Sequence, residues 1–311
     1  MSTFRIIADV ACDLTPDLQK KFDIAVVPGH MLFPGNKEVT AVPEWGDTTA
    51  EAFFTALKAN PSGYSTAPAN VEEFKAFFRP YAEKGEDMLV MAISSGISGT
   101  FNFMQRAREE LLAEFPGVTI RCVDTLRFGP GFGLMCMDAA RKRDAGLSLQ
   151  ETADWLEANK NRYHQAGWLD DLTFVARKGR ISHAAAFFGS LAGVKPIGEF
   201  DYNGLTTVLA KARGAKSAYA ALLDYISKTI ENPEEQTIVI AQTCRMPQAE
   251  EYKKMLQERF HPKEIMIIDV HAFNGINIGP GLMAAYYVGK PISKDLSEEK
   301  AILQNFMNGG K

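Results

Sequence analysis

The amino-acid sequence predicts an α/β fold with buried parallel strands in its first half and a mixed sheet in its second. Three observations carry this. Short apolar runs alternate with helix-spaced apolar patterns along the chain. The run Met88-Leu89-Val90-Met91-Ala92-Ile93 is apolar throughout, as a strand covered on both faces must be. Asp201-Tyr202-Asn203-Gly204 reads as a hairpin turn, which adds antiparallel pairing to the second half. At 311 residues the chain exceeds the usual size of one domain, so two are expected, residues 1–155 and 156–311.

Arg5 to Asp9 reads as the first strand, and Thr15-Pro16 as the cap and first turn of a helix. Ile24 to Pro28 is a second strand, and Met31 to Pro43 holds a small hairpin. Thr48 to Lys58 and Val71 to Glu83 are helical, separated by the turn-rich loop Pro61 to Pro68. After Met88–Ile93 comes the loop Ser94-Ser95-Gly96-Ile97-Ser98-Gly99-Thr100, then a helix to Phe115. Thr119 to Asp124 is a strand, and a helix follows the glycine run that starts at Gly129. Ser148-Leu149-Gln150-Glu151 is a capping box opening a helix to about Tyr163. Trp168 to Leu172, Val194 to Phe200 and Leu205 to Ala210 read as strands. Ala215 to Ile230 is a helix, Thr237 to Ala241 a strand, Pro247 to Phe260 a helix and Glu264 to Val270 a strand. Gly279-Pro280-Gly281 is read as preceding a helix from Leu282 to Val288, with a polar, frayed tail from Lys294.

Composition narrows the function. A net charge of −4 without a basic block argues against nucleic-acid binding. The scattered cysteines Cys12, Cys122, Cys136 and Cys244 form no metal-ligand pattern, so no metal or cofactor is expected. No apolar run is long enough to span a membrane, and the opening residues lack a secretory-signal plan, so a cytoplasmic location is expected.

The Ser94–Thr100 loop, between a buried strand and a helix start, suits a carboxylate or phosphate, because helix N-termini carry unpaired N–H groups. It lacks the lysine of a P-loop; the plainer reading is that Ser98 or Thr100 caps the helix. Ser65-Thr66-Ala67-Pro68 is a second hydroxyl pair whose plainer reading is a turn. Arg177-Lys178-Gly179-Arg180 is either a solvated loop or a fixed guanidinium aimed at an acid. The run Gly129 to Gly133 does not fit a dinucleotide fingerprint and reads as close helix packing. Asp9 and Asp13 read as loop ties rather than acid–base or Mg²⁺ groups. His30, His164, His183, His261 and His271 have no partner at metal or triad spacing.

Read in order, these segments resemble the DegV family of bacterial lipid-binding proteins, which includes the fatty-acid-binding subunits of fatty acid kinase. The carrying motifs are Asp9-Val10-Ala11-Cys12-Asp13-Leu14, Val26-Val27-Pro28, Ser65-Thr66-Ala67-Pro68, Ser94–Thr100, Val123-Asp124-Thr125, Val175–Ile181, Lys195-Pro196-Ile197 with Asn203-Gly204, and Asn277-Ile278-Gly279-Pro280-Gly281. The resemblance implies a two-domain DegV-like α/β fold and a long-chain fatty acid in a buried tunnel. It implies a carboxylate held by Ser65, Thr66, Ser94, Ser95, Asn277 and Gly279, with Arg180 and Ser98 in the headgroup network. It also implies a non-enzymatic carrier that presents the acid to a fatty acid kinase catalytic subunit, a role compatible with transient membrane contact. Four positions depart from the family pattern: Asn277 stands for a histidine, Val10 for a serine, Ala67 for a glutamine and Lys178 for a glycine. Gln242-Thr243-Cys244-Arg245 also stands where the family has a His-x-Asp segment. An amide at Asn277 donates a hydrogen bond but does not become a cation. Tunnel walls are not legible: Phe187, Phe188, Leu191, Val194, Ile276, Leu282 and Met283 lie near the motifs and read as core. Two alternatives stay open, an Mg²⁺-dependent phosphotransferase or hydrolase using Asp9 or Asp124, and a divergent regulatory protein whose ligand site has decayed.

Overall fold

A computed structural model of the chain describes residues 4–182 and 193–309. The first part supplies strands β1 (Arg5–Asp9), β2 (Ile24–Val27), β3 (Gly29–Phe33), β4 (Lys37–Ala41), β5 (Ser65–Ala67), β6 (Met88–Ala92) and β7 (Ile120–Asp124). Its helices are α1 (Pro16–Phe22), α2 (Ala50–Ala59), α3 (Val71–Ala82), α4 (Thr100–Glu114), α5 (Gly129–Asp144) and α6 (Leu149–Asn159). The second part supplies β8 (Tyr163–Leu169), β9 (Ile181–Ser182), β10 (Val194–Phe200), β11 (Thr206–Arg213), β12 (Thr237–Gln242), β13 (Glu264–Asp269) and β14 (Leu282–Val288). Its helices are α7 (Thr173–Arg177), α8 (Gly214–Thr229), α9 (Met246–Phe260), α10 (Ala272–Ile278) and α11 (Ser297–Met307).

The first sheet is parallel, in the order β2-β1-β6-β7. After β1 the chain crosses to β2 on one side, and after β6 it crosses to β7 on the other. The loops at the carboxyl ends of β1 and β6 therefore diverge, which opens the crevice where α/β sheets bind ligands. Asp9 closes the base of that crevice. Its carboxylate accepts the N–H of Ala11 at 2.9 Å and, from across the sheet, that of Ile93 at 2.7 Å. A small antiparallel sheet, β4-β3-β5, contains the expected hairpin. The second sheet is mixed, in the order β13-β12-β14-β8-β10-β11-β9. One apolar core runs from β1 and β6 through α5 into β8, β12 and β14. The expected division at residue 155 falls within α6.

Most expected elements form, and the Thr15 and Ser148 caps are the ones the sequence shows. Thr15 accepts from Leu18 N–H, and Ser148 and Glu151 make both bonds of a capping box. The glycines of α5 do serve packing: a Cβ at Gly131 would lie 2.6 Å from the Tyr286 ring, and one at Gly133 would lie 2.5 Å from the Cys12 carbonyl.

Four readings need correction. Leu282–Val288 is a strand, not a helix, pairing antiparallel with both β12 and β8. A short apolar run covered on both faces has no periodicity to separate the two. The Trp168–Leu172 strand instead begins at Tyr163 and ends at Leu169, and α7 follows it. α10 was not expected in front of the glycines. The tail is helix α11, which packs against α8 and β11 with Leu303 buried.

Candidate functional site

A cavity of about 140 Å³ opens between the two large sheets. That is roughly ten times the ~10–15 Å³ that one buried water needs. Its floor is the face of the mixed sheet. Gly167 on β8 and Gly198 on β10 leave the middle of that face without side chains. A Cβ at Gly167 would meet the Ala284 Cβ at 2.4 Å, so the close approach of β14 to β8 requires a glycine there. Leu169, Leu282 and Pro196 border one end of the trough, and Val208 borders its side. The opposite wall comes from Ile93 and Ile97 of the loop after β6, Phe128 ahead of α5, and Phe273 and Ile278 of α10. Leu172 and Val175 cover the outer side.

Few polar side chains break this apolar lining. Thr66 of β5 accepts the amide N–H of Asn277 at 3.1 Å, which leaves the threonine's own proton to donate elsewhere. Asn277 also donates to Phe273 O at 3.2 Å. Ser98 shares a hydrogen with Thr100 Oγ1 at 2.7 Å. Arg180 stands at the solvent side, its guanidinium donating to the Lys178 carbonyl. Burial first, and the Arg180 charge second, hold the Lys178 ammonium below its ordinary range. Asn274, Gln165, Thr206 and Tyr286 complete the polar part of the wall.

Of the sequence-predicted site residues, the structure brings Thr66, Ser98, Asn277 and Arg180 to this cavity and leaves Ser65, Ser94, Ser95 and Gly279 out of its wall. Ser94 is fully buried; its hydroxyl donates to Gly204 O at 2.7 Å and accepts Gly96 N–H at 3.1 Å. It clamps the β10–β11 hairpin to the loop. Ser95 is exposed, and Ser65 faces a shallow groove with His30 and Glu73. Gly279 serves the backbone: φ is +78°, and a Cβ would lie 2.4 Å from the Phe174 ring.

Along the loop ahead of α4 the N–H groups are already taken. From Ile93 to Ser98 every backbone N–H is bonded within the protein: to Asp9, the Arg127 carbonyl, Asp124, the Ser94 hydroxyl, and twice to the Ser94 carbonyl. Gly99 stands at the cap position of α4, and the Ser98 hydroxyl, one residue earlier, accepts the N–H of Thr100 at 3.3 Å. Of the wall candidates, Leu282 lines the cavity; Ile276 and Met283 are buried outside its lining, and Val194 is half-buried. Phe187, Phe188, Leu191 and His183 lie outside the described residues.

The acidic groups act as ties. Asp13 accepts His271 N–H at 3.1 Å and the Asn274 amide at 2.7 Å. Asp124 accepts the N–H groups of Ser95 and Leu126, both at 3.1 Å. Burial pushes the Asp9 carboxyl up to about 6 and raises Asp13. Among the described residues no group of three His, Cys, Asp or Glu side chains is placed to hold a metal. His164 is buried and bonds Glu199 at 2.8 Å, and Tyr225 donates to the same carboxylate at 2.8 Å. This network lies behind the floor, outside the cavity wall.

Sequence reasoning missed Gln165, Tyr286 and Thr206. The available signal was a histidine, a glutamine and a glycine inside the buried strand around Trp168.

The arrangement of a parallel sheet, a mixed sheet and an apolar cavity between them defines a known class. The family model described as an uncharacterised protein of the DegV family matches residues 3–290, and the chain belongs to that family. A DegV domain-containing protein of Clostridium perfringens is 33% identical over 289 residues, covering 93% of this chain and 98% of the relative. A DegV family protein of Thermus thermophilus, solved as a case of fatty acid binding, superposes with a TM-score of 0.82 at 23% identity, covering 92% of this chain and 99% of its own. The Fatty Acid Kinase (Fak) B3 protein of Streptococcus pneumoniae, loaded with linoleic acid, superposes at 0.78 with 20% identity, covering 93% of this chain and 100% of its own. No helix among the described residues is long and apolar enough to cross a membrane.

Proposed function

We propose that this protein is a non-enzymatic carrier that holds a long-chain fatty acid in the cavity and presents its carboxylate to a separate kinase for acyl-phosphate formation. The carrying observation is the cavity itself: apolar walls over a glycine trough, with the Thr66 and Ser98 hydroxyls as neutral donors, Asn277 fixing Thr66, and Arg180 at the solvent side. A carboxylic acid is ionised at neutral pH and needs such donors when buried. Each hydrogen bond to it contributes about 1.5–3 kcal/mol. The alkyl chain contributes more, at about 0.8 kcal/mol per buried CH₂. Thr66, Ser98 and Arg180 are the proposed headgroup contacts, with Asn277 as the residue that orients the Thr66 hydroxyl; Ser94 is proposed as the strut of the adjacent loop. The fatty-acid-binding neighbours support the ligand class, and the kinase-associated neighbour supports the presentation step.

The alternative of Mg²⁺-dependent chemistry at Asp9 or Asp124 finds no support: Asp9 accepts backbone N–H groups on both oxygens, Asp124 ties two N–H groups through Oδ1, and among the described residues no group of three His, Cys, Asp or Glu side chains surrounds either. The test is a thermal-shift comparison on lipid-stripped protein. Long-chain acids raise Tm on this reading, whereas stabilisation by a nucleotide with magnesium and not by acids refutes it.

A further inference from the structure

At one end of the trough the floor changes character. On the neighbouring strands β8 and β14, Leu169 pairs with Leu282, and four residues further along Gln165 pairs with Tyr286. One rung is apolar and the other polar, separated by roughly 13 Å of strand. Gln165 is 6% exposed and Tyr286 2%, and both line the cavity. Tyr286 donates its O–H to Gln165 Oε1 at 3.2 Å, and Gln165 Nε2 donates to Thr206 Oγ1 at 3.3 Å. These are single bonds at the long end of the range. They leave the second amide N–H of Gln165 and the lone pairs of the phenol oxygen for something in the cavity.

The rung is held rigidly. Gln165 N–H is fixed on buried Glu199 at 2.5 Å, and the Tyr286 ring fills the space that Gly131 leaves. Burial keeps the phenol protonated. A plain alkyl chain laid over this rung would strand a donor and an acceptor away from water, at a cost in affinity. A hydroxyl group, which both donates and accepts, satisfies the two together.

Resting on the carrier reading, we propose that the cavity is built for an oxygenated acyl chain, one whose mid-chain hydroxyl meets the Gln165 amide and the Tyr286 phenol. The experiment compares lipid-stripped protein titrated with stearate and with hydroxystearates bearing the hydroxyl at successive mid-chain carbons. At least one positional isomer is expected to bind about ten-fold more tightly than stearate. That preference, read as the ratio of hydroxystearate to stearate affinity within each variant, should collapse in Tyr286→Phe and in Gln165→Met. Stearate binding as tightly as every hydroxystearate, or a preference that survives Tyr286→Phe, overturns the proposal while leaving the carrier reading in place. Binding of none of these acids overturns both.

Discussion

Thr66→Val separates the proposed headgroup contact from the fold. The two side chains are nearly the same size, and a β-branched residue suits strand β5. What changes is one hydroxyl. Because Thr66 Oγ1 already accepts from Asn277 at 3.1 Å, its proton is available to a carboxylate. Losing a hydrogen bond to a charged group costs about 1.5–3 kcal/mol, or roughly 10- to 150-fold in Kd. Asn277 keeps its bond to Phe273 O, so the fold should lose little. The assay is titration of lipid-stripped protein with a long-chain acid, with Tm of the unliganded protein measured alongside. Ser94→Ala is the matched control. Its hydroxyl holds Gly204 O and Gly96 N–H inside the protein, so stability should fall by about 1–3 kcal/mol with little effect on headgroup affinity. Unchanged affinity in Thr66→Val, or a headgroup-sized affinity loss in Ser94→Ala with stability intact, refutes this division of roles.

Other consequences follow from burial and backbone. The Asp9 carboxyl is pushed up to about 6 from 3.8 by burial, so the native state binds more protons between those values. Stability should therefore fall as pH rises through that window, by roughly 3 kcal/mol from this group. Urea midpoints in Asp9→Asn should lack this component; equal pH slopes in both proteins would contradict it. Gly204→Ala forces a side chain at φ +80°, with its Cβ 2.1 Å from Ser94 Oγ. It should cost at least ~1–2 kcal/mol, read by denaturant unfolding. Leu303→Ala in α11 should cost about 2–5 kcal/mol if that helix belongs to the core, and almost nothing if the tail is frayed.

The sequence made legible whatever rests on local chemistry. Thr15-Pro16 and the Ser148 capping box mark helix starts, and Asp201–Gly204 marks the hairpin, because caps and turns are decided within a few residues. The serine-rich loop after β6 borders the cavity through Ile97 and Ser98, but its chemistry is not readable from the sequence. Whether Ser94 faces a ligand depends on where the distant β10–β11 hairpin docks. Leu282–Val288 was misread because its apolar run is explained only by β8 and β12 on either side. The polar rung of Gln165 and Tyr286 was hidden for the same reason: residues 121 apart in sequence meet only through sheet pairing. Gly279 is expected at the carboxylate, whereas the φ of +78° and the Phe174 ring that require a glycine there are visible only in the fold.

The most direct measurement is the mass of the protein purified and sprayed under native conditions. The account predicts a species heavier than the polypeptide by one long-chain acyl acid, which disappears on denaturation and returns when the stripped protein is offered such an acid. A bare polypeptide mass, before and after that exposure, would contradict it.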